Sequence, residues 1–424
     1  MKHTVTAFFL VLTLLASNAF AAQGWTLSLS GHAFGPPLVV GIDKAAQRLL
    51  VLERQSPFSL AGQFTCTTGQ RMGDKAESGD LRTPEGIYFV EERRTGLDYD
   101  TYGNKAFTLN FPNPVDRIRN KTGYGIWIHG RGHDIAPRET KGCVALNMKD
   151  LDALEPRLER GVPVVIANTL AWERDPDEVQ DVTARTLATQ VREWAQAWSE
   201  RSDAFFSFYD PARYAKAQEQ SFRFFKSHKK KIFTSQPWIE VMVDELHVLP
   251  GPDYWVTWFN QYYRTESIAT QGVKRLYWQK DAKGRLRIVG REWDRTDLGL
   301  EAKYLDQAKE RLRPMLEGWR KAWLAKDMKR YLSYYAPDAA QGARKGAKAI
   351  GDYKAQTWRE GAPVKVGIED VSVAMHAKGL AIAFIQRYQD GRGYADVGKK
   401  TLVVSPVGAQ RWLIQEEEWR PLQQ

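Results

Sequence analysis

Two glycine-flanked residues carry most of the chemistry open to this chain. His129 is followed by Gly130, and Cys143, preceded by Gly142, stands fourteen positions further on. Three uses of the pair can be weighed. As metal ligands, His129 and His133 have H-x-x-x-H spacing and Cys143 would add a thiolate. That spacing works on one face of a helix, but Gly130 and Gly132 lie between and Pro137 follows. Neither a second nearby cysteine nor an acidic cluster completes a tetrahedral set, so no metal is expected. As structural residues, the cysteine is a small buried hydrophobe and the histidine a satisfied core residue. As a catalytic pair, His129 is the general base for a Cys143 nucleophile. Gly142 then lets the backbone approach a substrate, its N–H and that of Cys143 forming an oxyanion pocket. The carbonyl of Gly130 would fix the imidazole tautomer through the other ring nitrogen.

Rigid elements must hold such residues. From Leu38 to Ile166 the chain is strand-rich, with short apolar segments ("PLVVGIDKAAQRLLVLE", "GQFTCTTG", "GIYFVEE", "AFTLNF", "GIWIHG") bounded by Gly, Pro and Asn. The "GIWI" strand would deliver His129 at its end. "MKDLDALEPRLERG" reads as a helix stopped by Gly161, and "VPVVIA" as a closing strand. Cys66, the only other cysteine, lies in an apolar-flanked strand and is expected in the core. One disulfide joining it to Cys143 is the alternative in an oxidising compartment.

The N-terminus bears on that compartment. Lys2 and His3 precede an apolar run from Val5 to Leu15, and Ala19 and Ala21 fit a small-x-small cleavage site. Residues 1–22 read as a secretory signal, which makes a periplasmic protein the expectation. No later run reaches about 18 apolar residues, so no membrane span is expected. The net charge of +10 suits an anionic partner. Export argues against nucleic acid and leaves glycan or an anionic wall polymer.

After about residue 170 the composition changes and then repeats. "WERDPDEVQDVTARTLATQVREWAQAWSERSDAFFSFYDP" reads as helical, and "LEGWRKAWLAKDMKRYLSYYAPD" mirrors it. Trp194 and Trp198 match Trp319 and Trp323. Gln261–Tyr263 matches Gln386–Tyr388. Lys274–Arg275 and Lys399–Lys400 sit at one common offset from those. "SHKKK" at 227–231 reads as a solvated basic loop. Each copy, 183–295 and 305–421, has helices followed by three or four long strands. This order resembles the nuclear-transport-factor-two-like fold, which implies helices packed on a curved sheet around a conical pocket. That fold serves enzymes and binders alike.

The first domain, 38–168, also resembles a known family. "TPEGIYFV" at 83–90, "IWIHG" at 126–130 and "TKGCVALN" at 140–147 are similar to the YkuD-type L,D-transpeptidase catalytic domain. "TTGQRMGDKAESGDLRTPEG" and "LNFPNPVDR" extend the likeness. The resemblance implies a mainly β, sandwich- or barrel-like fold with few helices. It also implies peptidoglycan stem peptides as substrate, a Cys143–His129 pair and no cofactor. Lys141 stands where many members have histidine, and Ala145 where many have an arginine for the substrate carboxylate. Arg131, Arg138 and Lys141 are the candidates left for substrate binding.

Overall fold

The computed structural model describes residues 24–54, 58–173, 175, 177–408 and 411–422; the signal-peptide reading of 1–22 lies outside the described residues. The first domain runs β1 (Thr26–Ser30), β2 (Leu38–Asp43), β3 (Arg48–Arg54), β4 (Phe58–Thr65), β5 (Gly86–Thr95), α1 (Tyr99–Tyr102), β6 (Lys105–Leu109), α2 (Pro114–Ile118), β7 (Trp127–His129), β8 (Val144–Ala145), α3 (Met148–Leu154), β9 (Pro163–Ala167) and β10 (Thr169–Glu173). Its main sheet has the order β4-β3-β2-β9-β5-β6-β7-β8. The segment read as a closing strand, β9, therefore lies in the middle, parallel to β2 and antiparallel to β5. Its all-apolar sequence suits that place, because both faces are covered. Val164 and Ile166 enter one core with Val40, Tyr88 and Ile128. Val165 and Ala167 enter a second, on the opposite face.

Repeat 1 follows: α4 (Glu178–Ser199), α5 (Pro211–Gln218), α6 (Phe222–Ser235) and the antiparallel β11 (Glu240–Pro250), β12 (Trp255–Arg264), β13 (Ala269–Lys280) and β14 (Leu286–Arg295). The helical reading began too early, since 169–173 form β10 and α4 starts after Asp177, whose side chain caps Gln180 N–H. Nor is "SHKKK" a loop. It lies inside α6, where Phe225 and Phe233 are buried and Lys229, midway between them at i+4, turns inward.

Repeat 2 consists of α7 (Leu300–Leu324), α8 (Met328–Leu332), β15 (Tyr335–Gln341), β16 (Arg344–Lys345), α9 (Ala347–Glu360), β17 (Pro363–His376), β18 (Gly379–Asp390), β19 (Ala395–Val407) and β20 (Arg411–Pro421). The two repeats share details of packing. Trp194 Nε1–H donates to Tyr209 and Trp319 Nε1–H to Tyr335, both at 3.0 Å.

The basic pairs need correcting. Lys274 pairs across strands with Phe259 and Trp293, whereas Lys400 pairs with Phe384 and Trp419. Lys274 thus corresponds to Lys400, not Lys399. The β18–β19 turn leaves five residues between Gln389 and Ala395, against four between Arg264 and Ala269, and this extra residue shifts the register by one. Arg275 points the other way, its guanidinium 4.2 Å from the Phe89 ring of the first domain.

That contact belongs to a shared core. Ile87, Phe89 and Val165 of the first domain are buried with Val256, Trp258, Tyr277 and Val289 of repeat 1. The "LNFPNPVDR" segment serves this junction. Asn110 accepts from Phe89 N–H at 2.7 Å and donates to Glu292 at 3.0 Å. Asn113 caps α2 and donates to Ile87 O at 3.1 Å.

Candidate active site

Strand β7 ends on His129, and β8 begins one residue after Cys143. The two strands pair in parallel, Ile128 beside Val144 and His129 beside Ala145. Ile128 and Val144 point into the core. Side chains alternate along a strand, so Cys143 falls on the opposite face, the one that carries Trp127 and His129. The parallel pairing therefore brings Cys143 and His129 together on one face, a strand apart and staggered by two residues.

His129 is held from two sides. It is only 3 % exposed. The Tyr102 ring meets its edge at 5.2 Å between centroids. Its Nδ1 lies 2.6 Å from Gly130 O. A carbonyl only accepts, so the hydrogen sits on Nδ1 and Nε2 keeps its lone pair. Burial pushes the imidazole down to about 4, with Arg131 adding to the shift and the Gly130 bond and Glu139 opposing it. At neutral pH the ring is an uncharged base.

The Cys143 thiol donates to Gly125 O at 3.4 Å. Burial pushes it above the usual thiol range, while the Trp127 N–H and the charges of Arg131 and Lys75 act the other way. Thiol and imidazole thus both rest neutral, rather than as a thiolate–imidazolium pair. If the sulfur attacks a substrate, the proton would have to leave it at that moment. Cys66 lies in the core at 1 % exposure, its thiol pushed up to about 12 by burial, and both cysteines are free.

Gly142 needs to be glycine on two counts. Its φ is +136°, and a Cβ would sit 2.9 Å from Arg82 O, in the segment that leads into "TPEG". Its N–H is already given to Thr140 Oγ1 at 3.2 Å, and that hydroxyl donates to Cys143 O at 2.7 Å. Among the described residues no acceptor is paired with the Cys143 N–H. Of the two backbone donors, Cys143 N–H is the one free for an incoming oxygen.

The three basic candidates have separate fates. Arg131 is committed to Glu139 at 3.2 Å and to Thr101 O at 3.1 Å. The Arg138 backbone is left-handed at φ +56° and its N–H is held by Gln47 Oε1 at 3.1 Å. Lys141 is exposed. His133 is also exposed, its Nδ1 2.9 Å from Asp134 O, and among the described residues no three His, Cys, Asp or Glu side chains group to hold a metal. Sequence reading missed Thr140 and Tyr102, and also the buried Lys44. Lys44 bonds Thr83 O at 2.8 Å and Glu85 at 2.9 Å, fixing the "TPEG" segment behind Gly142.

The YkuD profile, described as an L,D-transpeptidase catalytic domain, matches residues 37–166, and the profile of the Cds6 C-terminal NTF2-like domain matches twice, at 186–292 and 311–418. The chain belongs to the Cds6 C-terminal NTF2-like domain family, and its first domain matches the YkuD L,D-transpeptidase catalytic domain. Over 122 residues it is 30% identical to the Escherichia coli K12 protein named "Putative L,D-transpeptidase YafK", a match that covers 28% of this chain and 46% of that protein. The chain thus spans about half the length of the curated relatives it matches. Among solved structures it is similar to the helical cell shape determining protein Pgp2 of Campylobacter jejuni, 27% identical with a TM-score of 0.51, covering 62% of this chain and 94% of that one. Bd1075 of Bdellovibrio bacteriovorus is 26% identical with a TM-score of 0.50, covering 64% of this chain and 97% of that one. No described helix is long and apolar enough to cross a membrane.

Proposed function

We propose that this protein is a periplasmic L,D-transpeptidase acting on tetrapeptide stems of peptidoglycan. One observation carries the reading: β7 and β8 present Cys143 and a neutral, tautomer-fixed His129 on the same sheet face. Cys143 Sγ attacks the carbonyl of the residue before the terminal D-Ala as His129 Nε2 takes the thiol proton. The oxygen's developing charge is met by Cys143 N–H, and by Gly142 N–H once Thr140 Oγ1 releases it. His129 returns the proton to the leaving amine, D-Ala departs, and a thioester remains on Cys143. An amine of a second stem then restores the thiol and makes the cross-link. Arg138 and Lys141, which make no ion pair among the described residues, are the groups available to a substrate carboxylate.

Water in place of the amine gives an L,D-carboxypeptidase, and the likeness to a cell-shape determining protein favours keeping that second reading. Repeat 2 supports a wall-binding part in either reaction. It holds a cavity of about 400 Å³ lined by Trp323, Tyr353, Gln386, Asp396 and Trp419, among others. Mass spectrometry of muropeptides after incubation with the purified protein separates the readings. Cross-linked dimers indicate the transpeptidase and tripeptides the carboxypeptidase. Unchanged tetrapeptides under conditions where the protein binds sacculi would leave only a binding scaffold.

A further inference from the structure

The two repeats differ on the outer face of the helix that leads into each sheet. In repeat 1 this is α6, 14 residues reading "FRFFKSHKKKIFTS", with lysines and arginine but no acid. In repeat 2 it is α9, also 14 residues, where Lys348, Lys354 and Arg359 are offset by Asp352 and Glu360. Lys348 pairs with Asp352 at 2.6 Å, one turn along the same helix.

The residues of α6 separate cleanly by face. Phe222, Phe225, Ile232 and Phe233 pack in the core of repeat 1. At about 100° per residue, Arg223, Phe224, Lys226, Lys230 and Lys231 fall together on the opposite arc. Four of these five are exposed and Lys226 is partly so. Lys230 pairs with Asp203 at 2.9 Å, and among the described residues Arg223, Lys226 and Lys231 have no ion pair. The other acid close by in the chain, Asp210, is held as the cap of α5. Phe224 is 60 % exposed in the middle of this basic face.

Folding does not call for that arrangement. The apolar arc of α6 is already buried, and like charges three and four residues apart on a helix repel. Arg223 with Lys226 and Lys226 with Lys230 are such pairs. An extended anionic surface relieves the repulsion of the whole row at once, which a single small anion cannot. Phe224 narrows the choice of surface. It has no polar atom, so it suits the boundary between headgroups and acyl chains better than a hydrated polymer.

We propose that the outer face of α6 docks repeat 1 on an anionic membrane surface. Arg223, Lys226, Lys230 and Lys231 meet lipid phosphates, and Phe224 enters the headgroup layer. The contact is peripheral, lies on the outside of the repeat, and does not depend on the chemistry of Cys143. The mixed charges of α9 give repeat 2 no such face.

The test is co-sedimentation of the purified full chain with vesicles. Phosphatidylcholine vesicles are compared with vesicles in which about one third of the lipid is phosphatidylglycerol, and isolated sacculi form a third arm. Wild type should sediment with the anionic vesicles and not the neutral ones, and less so as salt rises. The double variant Arg223→Glu/Lys231→Glu should bind the anionic vesicles at least about tenfold more weakly. Phe224→Ser should weaken binding while keeping its salt dependence. Lys348→Glu on α9 and Cys143→Ala should bind as wild type does. All substituted α6 positions are exposed, and melting temperatures equal to wild type would show that the variants fold. Three results would overturn the proposal: equal binding to neutral vesicles, undiminished binding by the double variant, or binding to sacculi but not to anionic vesicles.

Discussion

The hydroxyl of Tyr254, in repeat 1, accepts a 2.7 Å hydrogen bond from the backbone N–H of Ile87 in the first domain. Ile87 follows Gly86 of the "TPEG" segment, so a residue of the accessory repeat completes the backbone of a catalytic-domain motif. Both residues are buried, and water cannot replace the acceptor. Tyr254→Phe should therefore destabilise the protein by about 1–3 kcal/mol, the usual result of stranding a buried donor. Chemical denaturation measures it. A change within about 0.5 kcal/mol would mean the junction relaxes to satisfy the N–H.

Repeat 1 and repeat 2 should respond differently to removal. Repeat 1 shares a core with the first domain through Phe89, Val165, Trp258 and Val289. Repeat 2 meets repeat 1 through α7, where Arg311 pairs with Glu240 at 2.9 Å and Tyr304 packs on Tyr262. A chain ended after residue 297 should melt cooperatively and keep the Cys143 reaction. One ended after residue 174 exposes the apolar face of the first domain's sheet and should aggregate or lose cooperative melting. Soluble, cooperative behaviour of the shorter chain would show that the shared core is dispensable.

The acid limb of activity should lie unusually low. An ordinary histidine base is lost below 6.5, whereas burial holds His129 near 4. The neutral base thus persists through mildly acid pH, and kcat/KM for D-Ala release should stay near its plateau down to about pH 5. The linkage sign is the reverse for stability. The unfolded histidine takes up a proton below 6.5 and the folded one resists it to about 4, so this residue's contribution to stability is lost as pH falls between those values. A limb centred at 6–7 in the pH–rate profile would contradict a buried neutral base.

Much of the candidate site's geometry was legible because its motifs are local. "IWIHG" and "TKGC" each encode a strand end and a glycine, and the tautomer-fixing Gly130 carbonyl is one residue from its histidine. The repeats were visible through Trp194, Trp198, Trp319 and Trp323, whose spacing follows a helix turn. What stayed hidden depends on distant chain segments. That Thr140 Oγ1 occupies the Gly142 N–H follows from a loop conformation, not from composition. The role of "LNFPNPVDR" as a junction depends on Glu292 and Tyr254, more than a hundred residues away. The one-residue slip between Lys399 and Lys400 arose because a longer turn leaves both candidates basic, and only strand register tells them apart.

The most direct test of the central claim is intact-mass analysis of the purified protein caught during turnover of a tetrapeptide muropeptide. Wild type should gain the mass of the stem less D-Ala, with peptide mapping placing the adduct on Cys143. Cys143→Ala should gain nothing and lose at least about 10³-fold in D-Ala release. His129→Ala should be slowed to a similar degree, and Cys66→Val should behave as wild type. An adduct mapped to another residue, or D-Ala release by Cys143→Ala at the wild-type rate, would contradict the assignment of Cys143 as nucleophile.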